Sequence, residues 1–210
     1  MLESMPQPAR LPDALEDRFW RGVRGAETFF MGAAEVQKAL DKLVRALDAQ
    51  RIPYAIVGAM ALNEFGYRRV TVDIDVLLTQ DGLATLKAAH LYVEKFPGSR
   101  GLHDPEHGVD IDVVLTGMYP GDGQPKPVVF PDPATTAERG ERVALLPLPR
   151  LIELKLASGM TAPHRLKDLA DVLEVIGTLG LPAELAGDLN PYVREKYLEL
   201  WRAAQTRDRE

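Results

Sequence analysis

Two short stretches of this 210-residue chain carry paired carboxylates in an apolar setting: VDIDVLL at residues 72–78 and VDIDVVL at residues 109–115. Strand side chains alternate between faces, so Asp73 and Asp75 share one face while Val72, Ile74 and Val76 are expected to point into the core. Asp110 and Asp112 repeat the pattern. Carboxylates this close repel one another when ionised, and a bound divalent cation removes that cost. Mg²⁺ takes oxygen ligands, commonly one or two carboxylates together with substrate phosphates. Asp is disfavoured in strands, so four of them inside apolar runs call for a reason. If the two strands are neighbours, a third carboxylate joins the first pair. That set suits metal-assisted phosphoryl transfer, in which cations activate the attacking hydroxyl and stabilise the leaving oxygen. The third carboxylate would complete the metal shell or take the proton of the nucleophile.

The elements that must hold these residues can be read from periodicity. Residues 13–50 read as helical, with Val36, Leu40, Leu43, Val44 and Leu47 at helical spacing and Pro53 as the stop. A buried strand at Tyr54–Val57 ends at Gly58, a short helix follows over Ala59–Phe65, and Gly66 suits its C-cap. Strands are expected over Val70–Leu78 and Val109–Leu115, a helix over Gly82–His90, and a short strand at Leu91–Glu94. Residues 97–108 read as a turn-rich connection. Residues 117–134, with three Gly and five Pro, read as a long irregular arm. The second half reads as helices over Leu148–Ser158, Leu166–Leu179 and Pro191–Gln205, with a break from Gly159 to Pro163. This divides the chain into an N-terminal leader and helix (1–33), a catalytic core (34–134) and a C-terminal helical region (135–210).

Gly58, at a strand-to-helix junction 15 residues before Asp73, would let backbone N–H groups approach a phosphate. Gly58-Ala59, a short helix, Gly66, Arg69, Thr71 and then Asp73-x-Asp75 together resemble the nucleotidyltransferase superfamily. The nearest look-alikes are the minimal, polymerase-β-like bacterial members, including those of toxin–antitoxin systems. The resemblance covers roughly residues 34–180. It implies an α/β (α+β) fold, a mixed sheet with helices on one face plus a C-terminal helical part. It implies an enzyme that moves an NMP from an NTP, ATP among them, to an RNA, protein or small-molecule hydroxyl. It further implies Mg²⁺, with Mn²⁺ as a substitute, on Asp73, Asp75 and Asp112, with Asp110 the alternative third carboxylate. Gly58 and Ala59 would meet the triphosphate, with Arg69 and Thr71 beside it. One departure is Ala59, where the family usually has Gly or Ser, so a hydroxyl contact to phosphate is lost. LKLA at 154–157 and RLKDLAD at 165–171 resemble the helical part of toxin-like members, placing Lys155, and on a weaker footing Lys167, near phosphates and Asp171 in support. Among acceptors the resemblance implies a tRNA 3′ end or a protein beside a small molecule, and among partners a cognate antitoxin.

Other signals constrain the class. The net charge of −6 argues against a surface that grips nucleic acid throughout, though not against a local basic cleft. The absence of cysteine excludes disulfides and Cys-based zinc sites. No membrane span or signal sequence is visible, so a cytoplasmic protein is expected, with Met5 and Met31 as alternative starts. His103 and His107 read as turn residues, not as a zinc pair. Tyr119, Lys126 and Phe130 could stack on a base or serve the arm structurally, while Trp20, Phe29 and Phe30 read as packing. Two other functions fit the same residues. Asp73-Ile74-Asp75-Val76 also matches the nucleophile motif of haloacid-dehalogenase-type phosphatases, and a catalytically silent binding partner in a toxin–antitoxin pair would share the fold.

Overall fold

The computed structural model describes residues 34–67, 71–140 and 142–207. Expectations for the leader, for Trp20, Phe29 and Phe30, and for Arg69 lie outside these residues. Helix α1, residues 34–49, buries Val36, Leu40, Leu43 and Leu47 of the expected stripe together with Ala39 and Ala46, while Val44 is half-buried. There follow β1 (Tyr54–Ile56), α2 (Gly58–Glu64), β2 (Asp73–Leu78), α3 (Gln80–Ala88), β3 (Val93–Glu94), β4 (Leu102–Asp104) and β5 (Val109–Leu115). A short α4 (Pro133–Thr136) leads to β6 (Glu138–Arg139) and β7 (Ala144–Leu145). The rest is helical: α5 (Leu148–Thr161), α6 (Leu166–Leu179) and α7 (Pro191–Arg207), with 3₁₀ turns between them.

The strands form one mixed seven-stranded sheet in the order β3-β4-β5-β2-β1-β7-β6. β1 runs antiparallel to β2, whereas β2 and β5 run parallel. The mixed sheet and the C-terminal helical part agree with the expected fold class. β2 and β5 explain each other's sequences. Ile74, Val76 and Leu78 with Val109, Ile111 and Val113 are all buried, so one face of this central pair is sealed in the core. The polar residues of both strands are thereby driven to the opposite face.

Several expectations are corrected. Val72 lies just before β2 and is 55% exposed, so it does not enter the core. Residues 97–108 contain β4, whose Leu102 and Asp104 are buried. His103 therefore sits on a strand opposite Asp110, not in a turn. β6 and β7 extend the sheet beyond position 134, with β7 parallel to β1. The arm is irregular as expected up to α4, and its two ends are tied together: the Gly117 N–H donates to the Phe130 carbonyl at 2.8 Å, and the Phe130 N–H donates to the Met118 carbonyl at 2.9 Å. Lys126 serves the arm structurally, donating to the Pro120 and Gln124 carbonyls and pairing with Asp122.

Gly159 does not break α5, which continues to Thr161. A Cβ at Gly159 would lie 2.6 Å from Leu169 Cγ and 3.2 Å from the Arg165 carbonyl oxygen, so the glycine lets α6 pack close. Gly177 of α6 has open space around it. The two positions should respond oppositely to alanine. Gly159→Ala is expected to lose about 1–2 kcal/mol, because overpacking outweighs the gain in helix propensity. Gly177→Ala is expected to gain roughly 0.5–1 kcal/mol. Urea denaturation of both variants checks the signs.

Candidate active site

The register of β2 against β5 sets Asp73 beside Asp110 and Asp75 beside Asp112, all on the face opposite the sealed core. The sequence alone placed each pair on a common face, and the parallel pairing brings the pairs together. Asp75 is half-buried on this face. Burial, and then the charges of Asp73 and Asp112, raise its carboxyl from 3.8 to about 6, and Lys155 and Arg165 oppose that rise. Asp73 accepts a hydrogen bond from the Thr71 hydroxyl, which fixes its orientation from two residues upstream.

Gly58 packs directly against Asp75. Its φ is +67°, and a Cβ there would lie 1.9 Å from Asp75 Oδ2. No other residue type leaves room for the carboxylate while adopting this backbone conformation. The Val57 N–H donates to the Asp75 carbonyl at 3.0 Å, tying the start of α2 to β2. Ala59 is buried.

On the helical side, α5 and α6 build one polar clamp. Lys155 Nζ lies 2.9 Å from Asp168 Oδ1 and 2.7 Å from Asp171 Oδ2, and the Ser158 hydroxyl donates to Asp168 Oδ2 at 2.6 Å. Lys155 and Ser158 are three positions apart on α5, and Asp168 and Asp171 three apart on α6, so each pair occupies one helix face. Lys155 thus reaches both aspartates while its charge still acts on Asp75. Lys167 is exposed and takes no part in this clamp.

Three residues join the neighbourhood unannounced by sequence. Arg165, inside the RLKDLAD stretch, acts on Asp75 electrostatically. Lys95 lies 3.0 Å from both Asp110 Oδ2 and Asp112 Oδ1, and His103 Nδ1 lies 2.8 Å from Asp110 Oδ1. His103 first, then Lys95, holds the Asp110 carboxyl below its usual range. His103 reaches Asp110 across the β4–β5 hairpin, whose turn was the local signal, whereas Lys95 is brought there only by the packing of the β3–β4 pair on β5. A cavity of about 240 Å³ between the arm and α5 is lined by Val128, Pro131, Arg150 and Glu153, among others, and none of the four aspartates borders it.

The donor chemistry fits a hard divalent cation: Asp73, Asp75 and Asp112 offer only oxygens, and their mutual repulsion is what a cation would relieve. Among the described residues, no three acidic or imidazole side chains are yet gathered for one ion, and Asp112 faces Lys95 instead.

Without a cation, Asp75 should cost stability. The folded protein holds its proton more tightly than the unfolded chain, so stability falls as pH rises from about 4 to about 6 and stays reduced above. In metal-free buffer, Asp75→Asn is expected to be more stable than wild type at pH 7.5, by on the order of 1–3 kcal/mol. The advantage should vanish below pH of about 4. Chemical denaturation at the two pH values reads this directly.

No protein-family model and no curated protein matches the chain. Solved structures superpose on the chain, among them nucleotidyltransferases and proteins provisionally assigned as such. ANT(2″)-Ia in complex with adenylyl-2″-tobramycin superposes with a TM-score of 0.48 at 16% identity, over 81% of this chain and 97% of that one. A solution structure of the antibiotic-resistance factor ANT(2″)-Ia gives 0.49 at 16% identity, over 85% and 94%. A Thermotoga maritima protein provisionally assigned as a nucleotidyltransferase gives 0.48 at 15% identity, over 67% and 93%.

Proposed function

We propose that the protein is a nucleotidyltransferase, moving an NMP from an NTP to a hydroxyl of an RNA, a protein or a small molecule. The observation that carries this reading is the in-register pairing of two Asp-x-Asp strands, with Asp75 pressed against the bare backbone of Gly58. Asp73, Asp75 and Asp112 would hold Mg²⁺, or Mn²⁺ in its place. That cation would supply charge neutralisation of the triphosphate and a lowered pKa for the acceptor hydroxyl.

The chain's own residues supply the rest. Gly58 and Ala59 present backbone N–H groups beside the carboxylates for the triphosphate. Lys155 and Arg165 bring positive charge to the same side, where it offsets phosphate charge as it already offsets that of Asp75. Asp171 and Asp168 hold the Lys155 ammonium in place. Thr71 orients Asp73. Arg69 is assigned to the nucleotide from its place in the motif. Asp112 accepts the proton as the acceptor oxygen bonds to the α-phosphorus, and the bond from that phosphorus to the bridging oxygen breaks, releasing pyrophosphate. Asp112 is favoured over Asp110 because it pairs in register with Asp75, while Asp110 is engaged by both His103 and Lys95. The phosphatase alternative is disfavoured by the sheet. Its nucleophile motif opens a Rossmann-like parallel domain, whereas here β1 precedes β2 and runs antiparallel to it.

The test is incubation with Mg²⁺ and each NTP labelled at the α-phosphate, together with total RNA, cell protein or a small-molecule extract in separate arms. Label is expected on one acceptor class, and the Asp73→Asn and Asp75→Asn variants should not transfer it. Gly58→Ala is expected to lower transfer at least about 100-fold, since a displaced Asp75 misaligns the reacting groups. Absence of transfer and of nucleotide binding in the wild-type protein would sink the assignment.

A further inference from the structure

The Lys95 ammonium occupies an unusual position for a surface lysine. It sits 3.0 Å from Asp110 Oδ2 and 3.0 Å from Asp112 Oδ1, bridging two carboxylates on the same strand face. Exposed ion pairs contribute little, and chance contacts of long side chains are common. Two features separate Lys95 from that class. Its backbone is fixed, because β3 pairs with β4 and the Lys95 N–H donates to the Gly101 carbonyl at 3.0 Å. Its stem is also fitted: a Cβ on Gly101 would lie 2.7 Å from Lys95 Cδ, so the side chain runs across a stretch of bare backbone. Asp110 has a second partner in His103, 2.8 Å away. Among the described residues Lys95 is the ion-pair partner of Asp112.

We propose that Lys95 is a tethered counter-ion for Asp112, and that a divalent cation gains Asp112 as a ligand only by displacing the Lys95 ammonium. The inference rests on the assignment of Asp73, Asp75 and Asp112 as metal ligands. Lys95 divides the carboxylates into a pair open to a cation, Asp73 and Asp75, and a third that is already neutralised. A bare divalent ion then competes with a lysine for its third protein ligand. A cation arriving on a triphosphate brings phosphate oxygens that can receive the displaced ammonium. Lys95 is therefore a positioning residue that makes cation binding depend on the nucleotide, keeping the site from filling with free metal.

The experiment is Mn²⁺ titration of nucleotide-free protein, followed by the loss of the free-ion EPR signal. Lys95→Met is expected to tighten Mn²⁺ binding at least about tenfold, because a unit positive charge beside the ligand oxygen is removed. Lys95→Arg, which keeps the charge, should stay near wild type. Gly101→Ala keeps the lysine but obstructs its stem, and should tighten binding in the same direction. It decides the question should Lys95→Met fail to give a cooperative thermal melt. Unchanged or weaker Mn²⁺ affinity in folded Lys95→Met, or in Gly101→Ala where that variant decides, overturns the role of Lys95 alone, provided Asp75→Asn abolishes the binding. If neither wild type nor Lys95→Met shows Mn²⁺ binding that Asp75→Asn removes, the metal-ligand assignment itself falls.

Discussion

The site depends on the parallel, in-register pairing of β2 with β5. Each strand alone presents two carboxylates on one face, an arrangement that could be simple solvation. Set side by side with Asp75 opposite Asp112, they form a concentration of like charge that the fold must tolerate. The sealed apolar face supplies the compensation. Ile74, Val76, Leu78, Ile111 and Val113 each bury nearly completely, and burial of those branched side chains, roughly 1.5–3 kcal/mol each, works against the electrostatic cost of the opposite face. A register slip of one residue would move the aspartates into the core, so the register is fixed by the same contrast that makes the site.

Around this constraint the positive groups fall into two sets. Lys155 and Arg165 come from the helical half and act on Asp75, while Lys95 and His103 come from the β3–β4 hairpin and engage Asp110 and Asp112. The helical half is thus part of the site's electrostatics and not an appendage. Its own cohesion uses the same lysine, since Lys155 bridges α5 to Asp168 and Asp171 of α6. Removing Lys155 would take one ion-pair partner from Asp168 and Asp171 and one positive charge from the surroundings of Asp75, so the clamp couples helix packing to the charge at the site.

What could be read in the sequence was what is local. The Asp-x-Asp pairs, the strand-to-helix glycine and the three C-terminal helices follow from periods of 2 and 3.6 and from cap residues, and β5, α6 and α7 stand close to where the pattern put them. What could not be read lay in strands too short to carry a period, or in contacts between segments far apart along the chain. β4, β6 and β7 are two- or three-residue strands that exist only because neighbours complete their hydrogen bonds. Val72 continues the apolar alternation yet precedes the strand, so pattern alone misplaced it. Gly159 reads as a breaker but is a packing glycine, because the neighbour it admits, Leu169, lies on another helix. Lys95 carries no motif. Its meaning comes from the hairpin that folds it back over Gly101.

The pairing of β1 with β7, Ile56 opposite Leu145, has a consequence for how the protein is made. β1 lies inside the sheet, between β2 and a strand that emerges from the ribosome only after the whole arm and α4. Until then β1 presents an open edge, and such edges recruit stray strands. Contacts so distant in sequence also slow folding, because loop closure must precede any reward from the pairing. The nascent chain therefore holds its four aspartates on an incomplete sheet while the segment from β5 to β7 is made, and α5, which brings Lys155, begins three residues after the strand that closes that edge.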